Sequence, residues 1–175
     1  MNYACIACFD KELESKITKI WKQFENSTIG ETPGSCGEDP HICMFLAKNQ
    51  NSDLIIDRIS KFEDKQIRIV LLPYGVFNGT KKVIFLNVIV TNELIKFRNK
   101  IFDTIDNCNA VIDDWYKNDR ALLHCTIAVD IEDKDIPKAI QIMSILEPAY
   151  GGFINRLQIL DFFPIQKRLE IMMNV

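Results

Sequence analysis

The chain runs through one order of elements twice. Residues 1–81 read as strand, helix, long loop, histidine-led strand, helix and strand, and residues 82–175 read the same way at an offset of about 80–88 positions. Identity between the halves is low, so the repeat lies in pattern. The length of the chain suits one compact domain or two small, intimately packed lobes.

The local signals are specific. In the first half, residues 3–9 form a buried-strand run, and Asp10 is placed to cap a helix whose apolar stripe is Leu13, Ile17, Ile20, Trp21 and Phe24. Gly30, Pro33, Gly34, Gly37 and Pro40 make residues 26–40 a loop before the His41 strand. Ser52 then caps a helix carrying Ile55, Ile59 and Phe62, and a strand spans 67–74. In the second half, a strand at 82–90 leads to Thr91 as cap, then to Leu94, Phe97, Ile101 and Ile105 on one helix face. A polar loop at 106–121 precedes the His124 strand. Ile136, Ala139, Ile140, Met143 and Leu146 mark a helix that Pro148 ends, and strands at about 153–162 and 167–172 close the chain. Loops of ~15 residues are uncommon unless they serve function, and both of these stand just before a histidine.

Composition narrows the function classes. At 47% hydrophobic and 26% charged, the chain reads as an ordinary soluble globular protein. Residues 3–9 lack a basic leader and are too short for a signal core, and no other run reaches the ~18 apolar residues of a spanning helix. A cytoplasmic protein with no membrane contact is expected. Six irregularly spaced cysteines then read as reduced thiols, and Cys5 and Cys8 face opposite sides of a strand, where they cannot chelate one ion. A net charge of −3 argues against a grip on long nucleic acid, so no DNA partner is expected, while a short or terminal phosphate stays open. A monomer without cofactor or metal is favoured.

The only two histidines open the motifs His41-Ile42-Cys43 and His124-Cys125-Thr126. Alternation puts His124 and Thr126 on one face, with Leu123, Cys125, Ile127 and Val129 on the other. His41 and Cys43 likewise share a face, opposite Ile42, Met44 and Leu46. Two imidazoles titrating near neutrality can divide acid and base work, so a hydrolytic site is the reading if the fold unites them.

These motifs resemble those of the 2H phosphoesterases, the superfamily of 2′-5′ RNA ligase-like proteins and cyclic phosphodiesterases, named for two H-x-[T/S] motifs. The resemblance extends over nearly the whole chain. It includes the first strand and helix, a Tyr74-Gly75-Val76-Phe77 turn, the 83–90 strand, and Leu123-His124-Cys125-Thr126-Ile127-Ala128. It implies a single α+β domain of two pseudo-symmetric lobes, antiparallel sheet with flanking helices around a central cleft, divided near residue 81 with possible strand exchange between the lobes, and metal-independent hydrolysis of a cyclic or 2′-5′ ribose phosphodiester at a short RNA end or in a small nucleotide. One histidine would activate water, the other would protonate the leaving oxygen, and the i+2 hydroxyls would donate to phosphate oxygens. His124 and Thr126 match that pattern. His41 matches too, but Cys43 stands where Thr or Ser is expected, and a thiol is the weaker donor.

His124 is assigned as base and His41 as acid. Tyr74, Phe77, Trp115, Tyr116, Phe162 and Phe163 are candidates to stack on a base, and Arg120, Lys117 and Lys48 to meet phosphate. Two other readings follow from Cys43: a catalytically weak or inactive nucleotide-binding or phosphate-binding module, and a thiol nucleophile activated across the cleft. A zinc site from Cys36, His41, Cys43 and His124 lacks the usual ligand spacing.

Overall fold

The computed structural model describes residues 2–48, 52–117, 121–144, 146–162 and 164–175. Its first half comprises β1 (Asn2–Phe9), α1 (Lys11–Ser27), β2 (His41–Lys48), α2 (Ser52–Ser60) and β3 (Ile67–Phe77). The second comprises β4 (Lys82–Val88), α3 (Asn92–Ile105), β5 (Val111–Ile112), β6 (His124–Ile131), α4 (Ile136–Ser144), β7 (Tyr150–Phe162) and β8 (Gln166–Met172). The caps form as their residue types require. Asp10 Oδ1 accepts from the Glu12 and Leu13 amides at 2.9 and 3.0 Å, and Thr91 Oγ1 accepts from the Leu94 amide at 3.1 Å. The side chain of Ser52, the third expected cap, lies outside the described residues.

The strands form one antiparallel sheet in the order β5-β2-β1-β7-β3-β4-β6, with β8 paired to β7. This order follows the repeat. In each half the first strand pairs with its own histidine strand, β1 with β2 and β4 with β6. On its other side it pairs with the strand that follows the second helix of the opposite half, β1 with β7 and β4 with β3. Residues of β1 are buried on both faces: Tyr3, Cys5, Ala7 and Phe9 join the helix-covered main core, while Ala4, Ile6 and Cys8 join Leu160 in a smaller cluster that Cys43 and Leu46 touch. Cys5 and Cys8 thus lie on opposite faces. Among the described residues no helix is long and apolar enough to cross a membrane.

The two histidine strands, β6 at one end of this order and β2 next to the other end, nevertheless meet. The long loops draw them together, each crossing to the histidine strand of the other half. In the first loop, Glu31 and Val129 exchange backbone hydrogen bonds at 2.9 and 2.8 Å. In the second, β5 pairs with the end of β2, and the Asp113 amide donates to the Leu46 carbonyl at 2.9 Å. Helix side chains reinforce both crossings. The Trp21 indole donates to the Thr126 carbonyl at 3.2 Å, and the Arg98 guanidinium donates to the Tyr116 carbonyl.

Five local expectations change. Beyond Ile127 the alternation of β6 breaks at a register shift against β4, so Ala128 rather than Val129 joins the core. Residues 74–77 are not a turn but the end of β3, paired with 83–86 of β4. Gly75 is there because a Cβ would stand 2.5 Å from the Phe85 ring that lies across it. A register shift in β2 turns Leu46 to the side of Cys43 rather than to the side of Ile42 and Met44. The loop at 106–121 contains β5, too short to show a period. Helix α4 ends at Ser144 with Ala139 and Met143 buried, while Ile140 is 38% exposed, off the core-facing stripe.

Gly30 holds a left-handed φ of 62°, and a Cβ on it would collide with the Val129 carbonyl oxygen in the first crossing. Gly30→Ala therefore meets backbone strain of about 1–2 kcal/mol and overlap of about 1–3 kcal/mol. In thermal unfolding, a drop of at least about 4 °C is expected; an unchanged midpoint would show that the crossing tolerates displacement.

Candidate active site

Both histidines stand at the first residue of their strands, where the chain leaves its crossing loop. The two rings are held by the same local bond. His41 Nδ1 lies 2.8 Å from the Asp39 carbonyl and His124 Nδ1 lies 2.6 Å from the Leu122 carbonyl, in each case the residue two before. A carbonyl only accepts, so Nδ1 carries the proton and Nε2 is left as the reacting nitrogen of both neutral rings.

Their surroundings differ. His124 packs edge-on against Phe77 and Phe85, with ring centroids 5.0 and 5.1 Å away, and these two phenylalanines stack on each other at 4.1 Å. Burial among them lowers its pKa, against the pull of the Leu122 carbonyl. His41 is more enclosed. Burial first, and the nearby His124 charge in addition, push its pKa down to about 4. The two imidazoles are thus near enough to act on each other electrostatically. The His41 backbone N–H also points at the Cys125 sulfur, which ties the start of β2 to β6.

Asp39, whose carbonyl orients His41, is itself anchored. Its Oδ2 accepts from Gln158 Nε2 at 2.7 Å and from Arg156 at 3.3 Å. Burial works to raise the Asp39 carboxyl, but these donors outweigh it and hold it below the ordinary range. Gln158 also donates to Glu170 Oε2 at 2.6 Å, and Arg156 pairs with Glu14. These side chains come from β7, β8, α1 and the first loop, so they support the histidine only in the folded chain.

The i+2 positions are unequal. The Thr126 hydroxyl is half-buried and meets no hydrogen-bond partner among the described residues. Cys43 Sγ donates to the Phe45 carbonyl at 3.5 Å, and burial pushes the thiol up to about 12. It is a neutral thiol at physiological pH, so neither a thiolate repelling phosphate nor a nucleophilic thiolate is supported here. The Tyr116 hydroxyl shares a hydrogen bond with Cys43, and the Arg98 charge lies nearby.

The structure brings His41, Cys43, His124, Thr126, Phe77 and Tyr116 together. It sets others apart. Tyr74 pairs with Leu86 and packs against the main core, away from the His124 face. Trp115 is 78% exposed, and Lys117 is exposed and paired with Asp114 at 2.5 Å. Lys48 is exposed at the end of β2, and Phe162 packs against the smaller cluster. Arg120 and Phe163 lie outside the described residues. Phe85, Arg98, Glu38, Asp39, Arg156 and Gln158 are not singled out by the sequence. None of them has a local signal: Phe85 stands opposite Gly75 only once β3 and β4 pair, and the others reach the site through long-range packing.

Solved structures with the same fold span essentially the whole chain. LigT of Escherichia coli superposes at a TM-score of 0.65 with 9% identity, covering 99% of this chain and 98% of its own. The same protein complexed with 3′-AMP gives 0.66 at 9% identity and the same coverage. TT0787 of Thermus thermophilus gives 0.65 at 10% identity, covering 98% and 97%. No curated protein matches the chain in sequence. The family model described as the 2′-5′ RNA ligase superfamily matches residues 10–162, so this mixed α+β chain belongs to that superfamily, the 2H phosphoesterase family that its two histidine motifs resemble.

Proposed function

We propose that the chain is a metal-independent phosphodiesterase, a single bilobal domain divided near residue 81, that hydrolyses a cyclic or 2′-5′ ribose phosphodiester at a short RNA end or in a small nucleotide. The observation that carries this reading is the shared tautomer: two imidazoles, each with Nδ1–H tied to a carbonyl two residues back, each offering Nε2. Family membership and the binding of 3′-AMP by E. coli LigT support the substrate class.

In this reading His124 Nε2 takes a proton from water, the hydroxide attacks phosphorus, and His41 Nε2–H protonates the leaving oxygen. Thr126 donates its hydroxyl to a non-bridging phosphate oxygen, where negative charge grows in the transition state. On the other side Cys43 supplies only a weak donor, already turned to the Phe45 carbonyl. Phe77 and Phe85 form an apolar wall beside His124 against which a base or ribose packs. That inward-turned thiol favours one second reading, a binding module that holds a nucleotide without turning it over.

Against a panel of 2′,3′-cyclic nucleotides, 2′-5′ oligonucleotides and ADP-ribose cyclic phosphate, wild type is expected to turn over at least one member. His41→Ala and His124→Ala each lower kcat/KM by about 10²–10⁴-fold, and each removes a different limb of the bell-shaped pH profile. Equal losses with no change in shape would remove the acid and base assignment. No turnover by wild type, with binding unaffected in both variants, would establish the module instead.

Restoring the hydroxyl tests the first motif separately. Cys43→Thr adds the missing donor, and kcat is expected to rise by about tenfold to a hundredfold. A fall in kcat would show that the thiol has a role of its own.

A further inference from the structure

Beside the reacting nitrogen of His41 stands a carboxyl that neither motif contains. Glu38 Oε2 lies 3.5 Å from His41 Nε2, and the two side chains are only 11% and 12% exposed. The contact is made by the nitrogen that Asp39 leaves available, not by the one it holds. Glu38 sits where the first loop turns into β2, after the 3-10 turn Pro33–Cys36, with its amide on the Pro33 carbonyl at 3.2 Å.

Building on the phosphodiesterase reading, we propose that Glu38 and His41 exchange one proton across the Oε2 to Nε2 contact. Glu38 is the store from which His41 draws the proton that it delivers to the leaving oxygen. Glu38 is thus a positioning residue for a proton, acting through His41.

The chemistry of the pair explains why such a store is needed. In water an imidazole holds its proton more tightly than a carboxyl does, and the two would form imidazolium and carboxylate. Burial reverses the order: Glu38 is pushed up to about 7 and His41 down to about 4. Between those values the proton belongs to the carboxyl and the ring is neutral. A lone His41 with that affinity would be charged in only about one molecule in a thousand at pH 7, which makes it a poor acid. With Glu38 adjacent, the proton waits one contact away.

The other charged and titratable groups around the pair are consistent with this arrangement. On β2 and the second loop, Cys43 and Tyr116 are neutral, and an ionised Glu38 would disfavour their ionisation further. Arg98 of α3 places its charge near Cys43. His124 of β6 opposes a charge on His41, while Asp39 favours one. Asp39 is occupied by Gln158 and Arg156 and is no competing proton donor.

The steps balance. A phosphodiester anion arriving at Nε2 gives an imidazolium two anionic neighbours, so the proton passes from Glu38 Oε2 to His41 Nε2 and leaves a carboxylate. His124 removes a proton from water, the oxygen bonds to phosphorus, and the bond from phosphorus to the leaving oxygen breaks. That oxygen takes the proton from His41 Nε2. His124 then returns its proton to solvent and Glu38 takes one back, so the net reaction consumes one water.

Above about pH 7 Glu38 empties, and wild-type kcat/KM falls there on the alkaline side. In Glu38→Gln, which keeps size and polarity, that limb moves below about pH 5, and kcat/KM at pH 7 falls by about tenfold to a hundredfold. An alkaline limb in the same place in both proteins would overturn the proposal.

A second measurement needs no substrate. The ring-nitrogen NMR shifts of His41 are expected to titrate in two steps in wild type, one near pH 7 with Glu38, and in a single low step in Glu38→Gln. One identical step in both would refute the proton exchange. Two steps in a wild type that turns over nothing would uphold the pair and discard the phosphodiesterase reading.

Discussion

Everything at the candidate site depends on a backbone exchange between the halves. The first loop pairs with β6 through Glu31 and Val129, and the second pairs with β2 through Val111 and Ile112. Without these crossings β2 and β6 would be far-apart strands of a seven-strand path. Backbone hydrogen bonds suit this task because they leave the residue types of the loops nearly unconstrained, except where a carbonyl approaches as closely as Val129 does to Gly30. Trp21 and Arg98 add side-chain bonds from the helices to the same two segments.

Closing the sheet in this way also sets the electrostatics. Bringing β2 against β6 buries His41, Cys43 and Glu38 at once, and burial acts oppositely on them. It raises the pKa of the thiol and of the carboxyl and lowers that of the imidazole. His124, on the aromatic side of the site, is perturbed by burial in the same direction as His41 but faces phenylalanine rather than carboxylate. A pseudo-symmetric backbone therefore carries two chemically distinct imidazoles, and the motifs alone do not show that difference.

Much of the scaffold is legible in the sequence because its signals are local. Asp10 and Thr91 cap where their side chains allow, the α1 stripe buries as spaced, and alternation in β6 puts Cys125 and Ile127 in the core behind His124 and Thr126. Legibility fails where a distant partner decides the outcome. Gly75 reads as a turn residue until the Phe85 ring is seen across it, and Leu46 changes sides because one extra residue of β2 bulges against β1. Tyr74 looks available for stacking beside Phe77, yet the two end on different sides of the sheet, and only Phe77 reaches His124. Two-residue β5 has no period to read.

The sequence by itself determined the doubled order of elements, the two histidines at equivalent places and the unequal partners Cys43 and Thr126, since these depend on local spacing or on identity alone. Only the tertiary structure decided that Glu38 lies against His41 Nε2, that Gln158 and Arg156 hold Asp39, and that Tyr116 reaches Cys43. The reason is physical: a contact between residues distant in the chain has no local signature, and the pKa of a buried group depends on everything packed around it.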